Sequence, residues 1–273
     1  MHGPERVALV TFSVFAASCA LLGAGLALEA CGGDGASGTT GRRVTLHTQA
    51  RPAKEPRSTF TNGVGWTVTL TKATVAMASV AYFDGEPIFS RAAAPRTRGR
   101  DPLRGLLGLR SAHAHPGHYV AGDAMGELTT PATLDLFAGT TRLADGAGVS
   151  GTYQSARFTY GAGDHGVVVA VEGAAQSGAT TLRFQATAAL SDVLDSYGEP
   201  SLEGCAFTSA DVEADGTVVI AIDPTVWLDQ VDFTDVKPTA DGSPSDLAGT
   251  IAFKGFARGL KKGAGFVFSY VTP

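Results

Sequence analysis

Trp66-Thr67-Val68-Thr69-Leu70-Thr71 alternates large apolar residues with threonines at a period of two. That period belongs to an extended strand with one face packed inward and the other turned to water. ATVAMASVAYF, residues 73–83, restarts the pattern and stops at Asp84-Gly85, a turn signal. Upstream, Val44-Thr45-Leu46-His47-Thr48 reads as a first strand before a proline-containing break from Arg51 to Pro56. Downstream, strand signals return at PATLDLF (131–137) and TYQSARFTY (152–160). GVVVAVEG (166–173) and TTLRFQATA (180–188) form a candidate hairpin across the linker AAQSGA. Val218, Ile220 and Ile222 alternate in TVVIAIDP, and Phe266, Phe268 and Tyr270 alternate in the last strand.

Two helical interruptions stand among these strands. Ala248, Ile251, Ala252 and Phe256 fall at helical spacing after the cap candidates Ser245 and Asp246, and Pro224-Thr225 opens a short helix carrying Val226 and Trp227. Many short strands separated by Gly and Asp turns predict a mainly β protein. The expected form is an antiparallel β-sandwich, with an open β-barrel as the alternative and one or two short helices. Its core should include Trp66, Val68, Leu70, Phe158, Leu182, Phe184, Ile220, Ile222, Phe266 and Phe268. Strands do not alternate with helices, which argues against a parallel α/β fold and its nucleotide crevice. No P-loop is present, and the triples Gly146-Ala147-Gly148 and Gly161-Ala162-Gly163 sit in polar turns.

Composition agrees with this pattern. Of 273 residues, 44% are hydrophobic, 17% charged and 8% aromatic, with Gly 35 and Pro 13, a balance that favours turn-rich β structure over a charged helical bundle. The net charge of -5 leaves no footprint for nucleic acid, so no nucleic-acid partner is expected.

The run from Val7 to Leu28 is apolar and free of charge, the pattern of an export signal, although it is also long enough to span a membrane as an uncleaved anchor. Leu28-Glu29-Ala30-Cys31 resembles the lipobox of bacterial lipoproteins, with Glu29 where that motif usually has a small or apolar residue. The resemblance implies a signal peptide over residues 1–30 and a lipid-modified, palmitate-bearing Cys31 as the mature N-terminus. It also implies attachment to a bacterial cell-envelope membrane. Ordinary secretion remains a third reading. Gly32 in place of Asp after the cysteine points, by the same resemblance, to the outer membrane. Residues 31–43 supply a Gly-rich tether. Residues 44–273 are expected to form a single β-rich domain with an Arg/His-rich loop at about 91–127. With Cys31 acylated and Cys19 inside the apolar run, Cys205 is the one thiol left, which rules out a framework of internal disulfides and reads as a buried strand residue.

Arg91, Arg96, Arg98, Arg100, Arg104 and Arg110 share a stretch without strand period, a solvated loop or a surface for anionic headgroups and polysaccharide. Directly after it, Ser111-Ala112-His113-Ala114-His115-Pro116-Gly117-His118-Tyr119 gathers three histidines within six residues. In an extended segment His113 and His115 point to one side, and a Pro-Gly turn swings His118 back toward them. Three converging imidazoles suit a zinc or copper ion, with water, Asp123, Glu127, His165 or His47 as a fourth ligand. Two blander readings stay open: the histidines bond only to neighbouring backbone and carboxylates, and Asp123 and Glu127 cap and start a short helix before Leu128.

His-x-His-x-x-His also resembles the first metal motif of metallo-β-lactamase-like hydrolases over six residues. Gly117 stands where that motif has Asp, and its later ligands find no counterpart beyond His165. No Gly-x-Ser-x-Gly elbow is present either, and a non-catalytic role is expected ahead of an enzymatic one. Asp223, Asp229, Asp232 and Asp235 read as helix caps and turn residues, with a hydrated Ca²⁺ site as the alternative. The expected function is an envelope-anchored lipoprotein that binds zinc or copper through its histidine loop. The alternative is a non-catalytic surface lipoprotein whose β-domain binds a protein or glycan partner.

Overall fold

The alternation that begins at Trp66 grows into the longest strand among the described residues, and the rest of the sheet is organised along it. The computed structural model describes residues 41–87 and 121–272. Its strands are β1 (Arg43–Pro52), β2 (Phe60–Thr61), β3 (Thr67–Phe83), β4 (Ala124–Leu128), β5 (Ala132–Asp135), β6 (Thr141–Arg142) and β7 (Gly146–Val149). They continue with β8 (Gly151–Tyr160), β9 (Val167–Ser177), β10 (Thr180–Ala189), β11 (Ser201–Val212), β12 (Gly216–Ile222), β13 (Ser245–Asp246) and β14 (Phe266–Val271). Three helices interrupt them: α1 (Leu190–Val193), α2 (Pro224–Leu228) and α3 (Ile251–Leu260). The expectation of a mainly β fold with few, short helices therefore holds.

β3 runs 17 residues, roughly 56 Å at strand rise. Along one edge its first half pairs with β9 and its second half with β8, both antiparallel. The main hydrogen-bonded path is β13-β10-β9-β3-β4-β7-β1-β12-β14-β11-β8, and the β3–β8 pairing closes the eight strands from β3 to β8 into a circuit. β9, β10 and β13 extend from that circuit as a wing. Three pairings, β1 with β12, β10 with β13 and β11 with β14, are parallel, a difference from the antiparallel expectation. A period of two is the same in either chain direction, so the residue pattern carries no information on this point.

The core is one cluster that includes side chains of the circuit strands and of the wing strands β9 and β10, the latter including Leu182 and Phe184. All ten residues expected there are buried. Phe158 and Phe266 stack with ring centroids 4.2 Å apart, Tyr160 meets both edge-on, and Trp227 tilts onto Phe266 at 6.3 Å. Tyr82, Tyr153, Phe207 and Phe268 form a second aromatic group on the neighbouring strands. Each fully buried large side chain contributes about 1.5–3 kcal/mol. Burial also pushes the Tyr153 phenol up to about 12, so it stays protonated with its oxygen within hydrogen-bond distance of the Met125 and Val149 carbonyls.

The helices start where side-chain oxygens cap them. Asp223 accepts from the Thr225 N–H at 3.0 Å with Pro224 at the first helical position of α2, and Thr250 accepts from the Phe253 N–H at 3.1 Å to open α3. Ser245 and Asp246 do not cap α3. They form β13 beside Phe184 and Gln185, the Ser245 hydroxyl donates to the Lys237 carbonyl at 2.8 Å, and α3 begins only at Ile251 behind its own cap Thr250. The linker AAQSGA is also shorter than expected: Ala174–Ser177 stay in the β9 ladder and the turn is Gly178-Ala179, with Gly178 at φ +56. α3 lies close to α2 through Gly259, which faces the backbone of Trp227 directly.

Candidate functional site

The segment that holds the histidine cluster joins β3 to β4, and the fold closes hydrogen by hydrogen at its base. The Asp84 N–H donates to the Asp123 carbonyl at 3.2 Å, and the Asp84 carboxylate accepts from the Asp123 N–H at 2.6 Å. The Gly85 N–H donates to the Ala121 carbonyl at 3.0 Å, and the Gln154 amide donates to the Asp84 carbonyl at 2.6 Å from β8. Gly122 sits between them at φ +78, where a Cβ would meet the Gly85 nitrogen at 2.7 Å. The base therefore needs glycine at this position for both backbone and space.

The start of the described chain lies at this same end. One cross-strand row runs from Val44 through Gly148 and Gly126 to Tyr82, linking β1, β7, β4 and β3. Arg43, Val149 and Phe83 follow one step beyond that row, and the Ser150 N–H donates to the Arg42 carbonyl at 2.7 Å. The incoming chain at Gly41 and both ends of residues 88–120 thus leave the sheet from one margin.

Cys31, the six arginines from Arg91 to Arg110, and His113, His115 and His118 lie outside the described residues. Asp123 and Glu127 lie inside them. They do not start a helix: the residues after Asp123 form β4, paired with β3 on one side and β7 on the other. The Asp123 backbone is committed to Asp84, which leaves its carboxylate exposed at the base of the segment. Glu127 projects from the outer face of β4, beside Ala81 and Ala147.

His165 stands elsewhere. It occupies the turn between β8 and β9 at φ +56, next to the point where Tyr160 pairs with Met77. Met77 on β3 and Asp84 just past its end are seven residues apart, roughly 23 Å along the strand, so His165 and Asp123 do not share a site. His47 faces outward from β1 and bonds through Nδ1 to Asp145 at 2.9 Å, two strands from Glu127. Among the described residues no three His, Cys, Asp or Glu side chains come together as a metal site.

The remaining candidates have structural duties. Cys205 is fully buried on β11, as the sequence suggests, with its thiol pushed up to about 12 by burial and its Sγ 3.4 Å from the Leu202 carbonyl. Asp223 caps α2 and pairs with Lys54 at 2.8 Å. Burial pushes its carboxyl up, but Lys54 and Thr225 more than offset that, and it lies below the usual carboxylate range. Asp229 bonds Gln230 and the Gly63 N–H, and Asp232 bonds Thr234 and the Trp66 indole. Asp223 has the cap role and Asp232 the turn role that the sequence favours, whereas Asp229 ties the Gly63 loop to the end of α2.

Two features were not singled out from the sequence. Asp84 closes the base of the histidine segment, and its signal was present only as a turn residue. Tyr197, 86% exposed, is held on a short loop by the Asp195 carboxylate, which accepts from the Glu199 N–H at 2.9 Å and the Tyr197 N–H at 2.7 Å. Those N–H groups, Glu199 first, keep Asp195 below the usual carboxylate range.

No helix among the described residues is long and apolar enough to cross a membrane. Comparison with protein-family models, with curated proteins and with solved structures finds no match to this chain.

Proposed function

We propose that this protein is an envelope-anchored lipoprotein, held by an acylated Cys31, that binds zinc or copper through His113, His115 and His118. The observation that carries the reading is the sealed base. The β3–β4 ladder reaches Gly85 and Ala121 and is completed by Gln154 from β8, so the described sheet closes its own hydrogen bonds beneath the histidine segment. Three imidazoles within six residues are then available for something other than holding these strands together. Asp123 at that base supplies an exposed carboxylate as a candidate fourth ligand, and Glu127 a second one further down β4. His165 is too distant to join Asp123.

In this reading each neutral imidazole offers a nitrogen lone pair to the ion, and a protonated ring offers none. The soluble chain from residue 42 onward, without a histidine tag, is expected to bind one Zn²⁺ or Cu²⁺. Affinity should be present above about pH 6.5 and fall steeply below it as the imidazoles protonate. The variant with His113, His115 and His118 all changed to Ala should lose the site. Equal, weak binding by both proteins in a calorimetric titration would remove the metal reading.

The anchor has its own test. Burial of acyl chains contributes about 0.8 kcal/mol per CH₂, so a multiply acylated cysteine attaches a protein without a membrane-spanning helix. Cys31→Ser should abolish incorporation of a fatty-acid probe and release the protein from the outer-membrane fraction. Unchanged labelling would overturn it.

Tyr197 favours a second reading, in which the β-domain binds a protein or glycan partner and no metal. An aromatic ring 86% exposed on a hydrogen-bonded loop is a ready contact surface for either. Metal binding that is lost in the triple-alanine variant separates the two.

A further inference from the structure

Beside the sealed base, the outer face of the sheet carries a groove of about 480 Å³ across β1, β7, β4 and β3. Its apolar lining includes Ala81, Ala124 and Ala147 beside Val44, Met125 and Val149, with Arg43 and Glu127 as its charged members. We infer that this groove is the docking site of the chain's own leucine run, Leu103 to Leu109.

Three observations select that occupant. The first is where the chain outside the described residues begins and ends: Gly85 and Ala121 are hydrogen-bonded to each other, and Ala124, three residues later, already lines the groove. Leu109 is twelve residues from Ala121, a reach of up to about 40 Å, whereas the four strands of the groove span roughly 15 Å. The second is apolar content. Leu103, Leu106, Leu107 and Leu109 place four large aliphatic side chains within seven residues, far more than water-facing chain ordinarily carries. The tether ahead of Gly41 also ends at the groove, but Gly32 to Thr40 is GGDGASGTT and brings no large apolar side chain. The third is charge. Arg104 lies within the leucine run and Arg110 directly follows it, and Glu127, across the groove from Arg43, is the carboxylate among the described residues that line it. The small side chains of Ala81, Ala124 and Ala147 leave room for leucines where larger residues would fill the groove themselves. The inference concerns apolar packing and stands whether or not the histidines bind a metal.

Photo-cross-linking in the full chain tests it. With Ala147→benzoylphenylalanine on the groove surface, irradiation should give an intrachain adduct to residues 103–109, identified by mass spectrometry in the monomer band. The same probe in the variant L106D with L107D should give no adduct to that run. Four results would overturn the proposal: an adduct to residues 31–40, a covalent dimer, no adduct at all, or an adduct to the leucine run that persists in the double variant. A dimer would instead make this face a contact between copies.

Discussion

Phe266→Ala is expected to cost about 3–5 kcal/mol, the range for removing a large aromatic side chain from a packed core. Phe266 is fully buried, stacks on Phe158 at 4.2 Å, meets Tyr160 at 6.0 Å and carries the Trp227 ring at 6.3 Å. The cavity opens where β14, β8 and α2 converge, so no single side chain can collapse into it. Against a total stability on the order of 5–15 kcal/mol, that loss removes a large share. The thermal midpoint should fall by on the order of 10 °C. Tyr197→Ala is the matched control, because an aromatic 86% exposed should change stability by no more than about 0.5 kcal/mol. A loss below about 1 kcal/mol for Phe266→Ala in urea unfolding would contradict the packing described.

Gly259→Ala sets two effects of known sign against each other. Alanine is the better helix former by about 1 kcal/mol, so on propensity alone the substitution should stabilise α3. The added Cβ, however, would lie 2.7 Å from the Trp227 carbonyl carbon and 2.8 Å from its Cα, with the carbonyl oxygen closer still. These are backbone atoms of α2, and they cannot turn aside as a flexible side chain would. α3 must lift from α2, disturbing Phe256 and Leu260 on its buried face. Overpacking of this kind costs about 1–3 kcal/mol or more and should exceed the propensity gain. A net destabilisation of about 2 kcal/mol is expected in chemical denaturation. An unchanged or raised midpoint would mean that the helices do not approach so closely.

The long strands were legible because their own side chains carry the core. β3, β8, β10 and β14 alternate over most of their length, while β9 and β12 read as strands through apolar runs buried on both faces, Val168 to Val171 and Val218 to Ile220. β4 and β7 were not legible, and the reason is visible in Gly126 and Gly148. Both face the interior, but the space beside them is taken by Leu46 from β1, and at Gly148 also by the Tyr153 hydroxyl from β8. Neighbouring strands thus provide the bulk, and the glycine strands carry no apolar period to detect. β11 breaks its own period at Gly204, which adopts φ +62 where the pairing with β8 shifts register.

The candidate site divides in the same way. The histidine spacing is local and can be read along the chain. Whether Asp123 begins a helix or a strand is decided by Asp84, 39 residues earlier, and no local pattern contains that partner. Likewise, His165 is near the cluster by residue type alone, and only strand register reveals the separation from Asp123.

The position of β14 also bears on when the fold can be completed during synthesis. This strand, latest in sequence of the fourteen, lies between β12 and β11, antiparallel to the first and parallel to the second. Until it arrives, β12 and β11 present unpaired backbone, and Phe158 and Trp227 lack the ring of Phe266. A nascent chain that has not yet delivered residues 266–271 is therefore an open sheet with two exposed edges, the kind of surface that pairs with other chains. Small deletions after Gly265 should therefore be more damaging than their size suggests, because they leave both of these edges open.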